Sequence, residues 1–460
     1  MFTSMISKQA VHASTRFGLG PQPDEIARVG SDPRAWLLAQ LEGERRAEAW
    51  LSAIAPSHES LGESLQGFYR VRSLKQSGKP NDGENQQQEA LADARRELKK
   101  SLKTTQFQQL GGRFQASIET REPFRERLVQ FWSNHFTVSM AGGKRLIVTS
   151  CTAYEAETVR RHLDGHFADM LVAVEQHPVM LAYLDNRQSL GPNSRAGRRR
   201  KNRGLNENLA REILELHTLG VDGGYSQADV REVARVFTGW TLESRREPLF
   251  RFRESLHDPG DKRVLGERVR GSGAGEGERL LRRLARHPAT ARHLAHKLVA
   301  RFVDDHPPSG LVTRAAERFL DTGGEIREVL VLILMSPEFA DPAHRKLKTP
   351  LRFATSALRA TGGATDGDPR LLRALGRLGE VPFFARTPAG FPEETARWVD
   401  PGAMLERMGL AFALARGEFR GTRLGSSLPE TAAAQRGRLR GATSDEEVAL
   451  AVAAPEFQWA

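Results

Sequence analysis

Four times in this chain an apolar helical run stops at one polar or small residue and then meets a proline: Gln176-His177-Pro178, Arg286-His287-Pro288, Met335-Ser336-Pro337 and Ala453-Ala454-Pro455. Proline has no N–H with which to continue the preceding helix, yet its fixed φ suits the first turn of the next one. Each site is therefore a corner between two helices. A chain punctuated in this way is restricted to a multi-helix assembly with short connections, and the unequal spacings argue against a solenoid. The expected fold is mainly α, a multi-helix globular assembly with a minor β-hairpin element. The strand signal comes from PLFRFRESLHD, where Phe250 and Phe252 alternate with arginines.

Three regions are expected. Residues 1–120 form an N-terminal helical region with a flexible loop near 78–89, where GKPNDGENQQQ offers nothing apolar to bury. Residues 56–89 as a whole lack clear periodicity. A charged helix from Glu89 to about Leu110 follows, and Gly111 and Gly112 are expected to stop it. Residues 121–420 form a helical core, and 421–460 a C-terminal helical tail packing on it. Within the core, Pro123 opens an amphipathic helix that ends at His135, before a β-like Phe136-Thr137-Val138-Ser139. The basic, glycine-containing stretch at 195–203 reads as a surface loop, and GERVRGSGAGEGE as another.

The 39% hydrophobic content suffices for a substantial core. No run approaches the roughly 18 apolar residues of a membrane span. The first twenty residues lack the apolar segment and cleavage site of a secretory signal, so the expected location is the cytoplasm. One cysteine, Cys151, excludes an internal disulfide and a cysteine-based zinc site, and reads as a small buried hydrophobe. The net charge of +11 comes largely from arginines scattered along the chain. Nucleic-acid binding needs charge clustered on one face, so a solvated surface is the better reading.

Chemistry-bearing residues are densest from Leu205 to Trp240, LNENLAREILELHTLGVDGGYSQADVREVARVFTGW, which reads as helix, glycine-rich turn, helix. On an ideal wheel Leu205, Leu209, Ile213 and Leu216 form an apolar stripe, while Glu207, Arg211 and Glu215 line up on another face beside Asn208 and Glu212. His217 points with Asn206 toward the core, so Glu215 and His217 are not a ready chelate. Ser226 and Asp229 make a capping box for the second helix, which buries Val230, Val233, Phe237 and Trp240 and exposes Gln227, Arg231 and Arg235. The turn is too long and glycine-rich for a DNA-reading helix-turn-helix.

FWSNHFTVS, YLDN, the 205–240 stretch, LHDPG, HPATARHLAHKLVARFVDDHPP and KLKTPLRFATSALRA, in this order, resemble the bacterial domain-of-unknown-function-1800 family. RFGLG near the start and TPAGFP near the end fit as well, so the likeness covers nearly the whole chain. The resemblance implies a mainly helical bacterial protein, often encoded beside a protein of the domain-of-unknown-function-1501 family. That neighbour looks like the sulfatase and alkaline-phosphatase superfamily and tends to carry a twin-arginine export signal. This chain departs from the pattern at Ser133, where the family commonly has histidine, and at Ala389, where it commonly has an acidic or amide residue.

Two functions are expected. The first is a hydrolase-like enzyme with a His/carboxylate cleft. Its catalytic groups would be His135, Glu212, Glu215, His257 and Asp258, and Asn134, Glu207, Asn208, Arg211, Arg235 and Trp240 would bind substrate. Imidazole and carboxylate suit either a divalent metal or a metal-free acid–base pair. No HExxH, GxSxG, P-loop or dinucleotide fingerprint accompanies them. The second is a non-enzymatic binding or assembly partner of the phosphatase/sulfatase-like neighbour, docking through the polar face of 205–240. Export would then follow from riding with that signal-bearing partner.

Overall fold

The computed structural model describes residues 8–42, 49–76, 84–199, 204–244, 246–341, 343–429 and 444–460. Helices dominate, and among these residues the strands are limited to two antiparallel pairs. All four proline corners are present. Pro178, Pro288, Pro337 and Pro455 each begin a helix, at Pro178–Tyr183, Pro288–Phe302, Pro337–Ala340 and Pro455–Gln458. The residue before proline caps in three of them: the His177 and His287 rings accept through Nδ1 from Val179 and Ala289 N–H, and Ser336 Oγ accepts from Phe339. An imidazole or hydroxyl there meets an orphan donor of the new helix.

One buried apolar cluster extends from Ala10 to Phe457, so the N-terminal helices share a core with the C-terminal ones. Cys151 is buried within it as a free thiol. No helix of the described residues is long and apolar enough to cross a membrane.

Several local expectations change. Ser57–Gln76 is a 20-residue helix where periodicity was weak, and of the 78–89 loop residues 78–83 lie outside the described residues while Glu84 begins a helix. That helix runs unbroken to Glu119 through Gly111 and Gly112. Gly111 is there for contact: a Cβ on it would stand 3.1 Å from Gly367 Cα. The absence of a side chain lets two backbones touch, and the helix tolerates the entropic cost. Residues Phe136–Ser139 form no strand. They are fixed instead by the 383–385 segment, with Met140 N–H donating to Phe383 C=O at 2.7 Å and Ser139 Oγ to Ala385 C=O at 2.6 Å.

Strand β1 (Trp240–Leu242) pairs with β2 (Phe250–Phe252), the expected hairpin. A second hairpin, β3 (Lys262–Val264) with β4 (Glu267–Val269), replaces the first part of an expected loop. Its two turn residues, Leu265 and Gly266, both have positive φ, at 53° and 77°. Leucine does not advertise such a turn. Asp229 holds it, accepting from Leu265 N–H at 2.7 Å.

Candidate active site

The 205–240 unit folds as expected in outline, with Asn208–Glu212, a turn, and Gln227–Phe237 capped by the Ser226/Asp229 box. Between them Ile213–His217 is a π-helical segment. A π turn is wider than the α turn assumed by a 100° wheel, and the expected Glu207, Arg211, Glu215 line does not close. Arg211 pairs with Glu207 at 3.5 Å and reaches Gln227 at 3.0 Å, while Glu215 accepts from Tyr225 OH at 3.3 Å. Arg231 also reaches Glu207 at 3.5 Å, so Glu207, Arg211, Gln227 and Arg231 make a polar network across the outside of the hairpin. Asn208 begins the first helix, its N–H taken by Asn206 Oδ1.

The expected catalytic residues fall into separate neighbourhoods, and no hydrogen bond, ion pair or ring contact of the described residues joins His135 to Glu212, Glu215, His257 or Asp258. His257 and Asp258 belong to a closed network. Asp258 is fully buried and takes Arg235 at 2.7 Å, and Arg235 also holds Glu232 at 2.7 Å. His257 Nδ1 donates to Thr238 C=O at 2.8 Å, and Nε2 lies 3.3 Å from both Lys262 Nζ and Glu276 Oε2. Lys262 in turn pairs with buried Glu276 at 2.7 Å and donates to Asp258 C=O. Trp240 is a core residue, 1% exposed, against which Gly277 packs so closely that a Cβ would come within 2.4 Å of its ring.

The second neighbourhood is buried. His217 Nδ1 meets Glu175 Oε1 at 2.6 Å, and both side chains are fully enclosed. Glu212 lies within electrostatic reach of this pair, and burial, reinforced by Glu215 and Glu175, pushes its carboxyl above the usual glutamate range.

The third neighbourhood centres on His135, and it is completed by residues that sequence reasoning missed. His135 ends the Pro123–His135 helix and is buried. Its Nε2 lies 3.2 Å from the backbone carbonyl of His217, and since a carbonyl only accepts, the proton sits on Nε2. Nδ1 is then the bare nitrogen, 2.9 Å from Lys297 Nζ. Burial, then the Lys297 charge, keeps His135 well below the usual histidine range and therefore neutral. Lys297 itself is lowered to about 8 by burial, against the opposing pull of Glu393. Lys297 comes from the Pro288–Phe302 helix, between His293 and Arg301 at four-residue spacing, so the three share a face.

Arg301 Nη1 donates to Glu393 Oε2 at 2.7 Å. Glu393 follows the TPAGFP turn, which is clasped to the His135 helix by Asn134: its amide donates to Phe391 C=O at 2.9 Å and accepts from Phe391 N–H at 2.7 Å. Gly390 is required in this clasp, because it has φ +82° and a Cβ would stand 2.5 Å from Asn134 Oδ1. Asn134 Nδ2 also stands 3.5 Å from Glu393 Oε1.

Asn134, Arg301 and Glu393 line a cavity of about 60 Å³, together with Arg113, Ser133, Thr349 and Glu380. Ser133, at the position where the family commonly has histidine, donates to Glu155 at 2.8 Å, and Arg113 pairs with the same carboxylate at 2.7 Å. The two glutamates that line the cavity are driven apart. Glu380 is pushed up by burial, which its bonds from Leu351 N–H and Thr349 only partly offset. Glu393 is partly buried, yet Arg301, Lys346 and Lys297 outweigh its desolvation and hold it below the usual range. Among the described residues no group of three or more His, Cys, Asp or Glu side chains is arranged to hold a metal ion.

Fold and cavity together define a mainly helical protein with a partly open cavity between the His135 helix and the 380–393 loop. The chain belongs to the family described as protein of unknown function (DUF1800), whose family model matches residues 12–459. No curated protein and no solved structure matches it.

Proposed function

We propose that this protein is a hydrolase-like enzyme whose site is the cavity shared by Glu380 and Glu393. The observation that carries the reading is the divergence of two carboxyls in one cavity wall. One is raised toward the protonated form and the other is held ionised. Environments that separate a pair of titratable groups in this way suit one to give a proton and the other to take one. Glu380 is the acid and Glu393 the base that accepts a proton from an attacking water. Arg301 and Asn134 orient Glu393, and the charges of Arg301, Lys346 and Lys297 keep it ionised.

The test is a panel of chromogenic esters, phosphate esters and glycosides. Glu393→Gln and Glu380→Gln should each lower any turnover by about 10² to 10⁴. Wild-type rates in both folded variants, or no turnover with any class, would contradict the proposal.

A docking role is favoured by one observation, the polar network of Glu207, Arg211, Gln227 and Arg231, in which Arg211 and Arg231 stand partly in solvent. In that reading the face receives a co-encoded phosphatase/sulfatase-like partner, with which the chain is exported. Pull-down with Arg211→Glu and Arg231→Glu tests it: the charge reversals should release the partner, and unchanged capture would exclude the face.

A further inference from the structure

Four cations outside the cavity lining are buried without an ion pair. Arg127, Arg352, Lys348 and Arg407 are 1%, 5%, 1% and 0% exposed, and none has a carboxylate within salt-bridge distance among the described residues. Their donors go mostly to neutral acceptors. Arg127 bonds Arg16 C=O, Arg352 bonds Thr15 and Arg16 C=O, and Arg407 bonds Lys348 C=O, whereas Arg16 beside them also donates to the terminal Ala460 oxygen at 3.0 Å. Lys348 sits over the Phe457 ring at 3.6 Å. Carbonyls satisfy hydrogen bonds without neutralising charge. Guanidinium does not shed its proton in a protein, and an uncompensated buried charge costs several kcal/mol.

Donors remain unused as well. Nε of Arg127, of Arg352 and of Arg407, and Nη2 of Arg407, are buried with no partner. Arg301 Nε, on a residue of the cavity wall, is likewise buried and unpartnered. Arg127 and Arg352 both feel the charges of Arg301 and Glu393, so the buried cluster and the cavity share one field. The carboxylate within that reach, Glu393, is already held by Arg301 at 2.7 Å.

We infer that the cavity takes a small oxyanion group, the phosphate, sulfate or carboxylate of a substrate, with Arg301 as its direct contact and the buried guanidinium cluster as its counter-charge. This rests on the proposed function for the word substrate, since it names the substrate class of the same cavity; the anion site itself depends only on the charges. A planar guanidinium with a free N–H is suited to such a group. Glu393 then has a second consequence: as the cavity's own carboxylate it competes with an incoming anion for Arg301.

The experiment is calorimetric titration of the full chain with inorganic phosphate, with chloride at matched ionic strength as the control. Wild type should bind phosphate saturably at one site, and chloride should not reproduce the heat. Arg301→Gln should abolish the binding. Glu393→Gln should tighten it about tenfold, because the competing carboxylate is gone; a gain of affinity cannot come from misfolding. Equal responses to phosphate and chloride, or a Glu393→Gln affinity equal to wild type, would overturn the inference. The two proposals fail separately. If Glu393→Gln binds phosphate more tightly and keeps wild-type turnover, the anion site stands and the acid–base reading falls.

Discussion

The His257 network and the His135 site are built from the same residue types: a buried histidine, a lysine on one ring nitrogen, and a glutamate with an arginine near by. Around His257 the charges are matched. Lys262 has Glu276 and Asp258 has Arg235, and none of the four lines the cavity beside Arg301. Around His135 the charges are unmatched. Lys297 has an imidazole rather than a carboxylate beside it, Arg127 and Arg352 have no carboxylate within salt-bridge distance among the described residues, and Arg301 and Glu393 line a cavity. The difference teaches that residue types in a cluster do not mark a functional site; incomplete satisfaction of buried groups does.

The comparison breaks most visibly at Lys262. Lys262→Met leaves buried Glu276 with only His257 Nε2, 3.3 Å away, to balance it, and should destabilise by about 3–5 kcal/mol in urea unfolding. A loss below about 1 kcal/mol would show that the His257 network is not the structural member of the pair.

Acidification should act mainly on the other side. His135 and His293 are both held below 6.5, His293 to about 4, chiefly by burial and then by Lys297. Between about 4 and 6.5 the unfolded chain therefore binds more protons than the folded one, so stability should fall as pH drops through that window. His293→Gln should flatten the dependence of the urea midpoint on pH. An equally steep dependence in the variant would remove His293 as a contributor.

The smallest effect belongs to the exposed hairpin, away from both networks. Ser226→Ala removes the cap on the Gln227–Phe237 helix and should cost about 1 kcal/mol, with turnover and phosphate binding unchanged. A change in binding would mean that the hairpin and the cavity are coupled.

Much of the scaffold was legible in sequence because it depends on local rules. The proline corners, the Ser226/Asp229 box and the Phe250–Phe252 strand each followed from a few neighbouring residues. Errors arose where a distant contact decided the outcome. Gly111 reads as a helix stop until Gly367 is placed against it, and the Leu265-Gly266 turn is invisible without Asp229. The site followed the same division. His135 and Asn134 were noticed, and TPAGFP was noticed, but Glu393 immediately after it was not, because its partner Arg301 lies 92 positions away. Lys297 and Arg301 carried a weak signal: with His293 they repeat every four residues along one face of the Pro288–Phe302 helix. The π-helical Ile213–His217 defeated the wheel that had grouped Glu207, Arg211 and Glu215.

The central claim is that the two cavity carboxyls are held in opposite states. Carbon-13-detected titration of glutamate-labelled protein, with Glu380→Gln and Glu393→Gln to assign the resonances, measures this directly. The account predicts that Glu393 titrates below the ordinary 4.5 and Glu380 above it, and that Lys297→Met moves Glu393 upward. If both carboxyls titrate together near 4.5, the cavity has no acid and base to divide between them, and the account is contradicted.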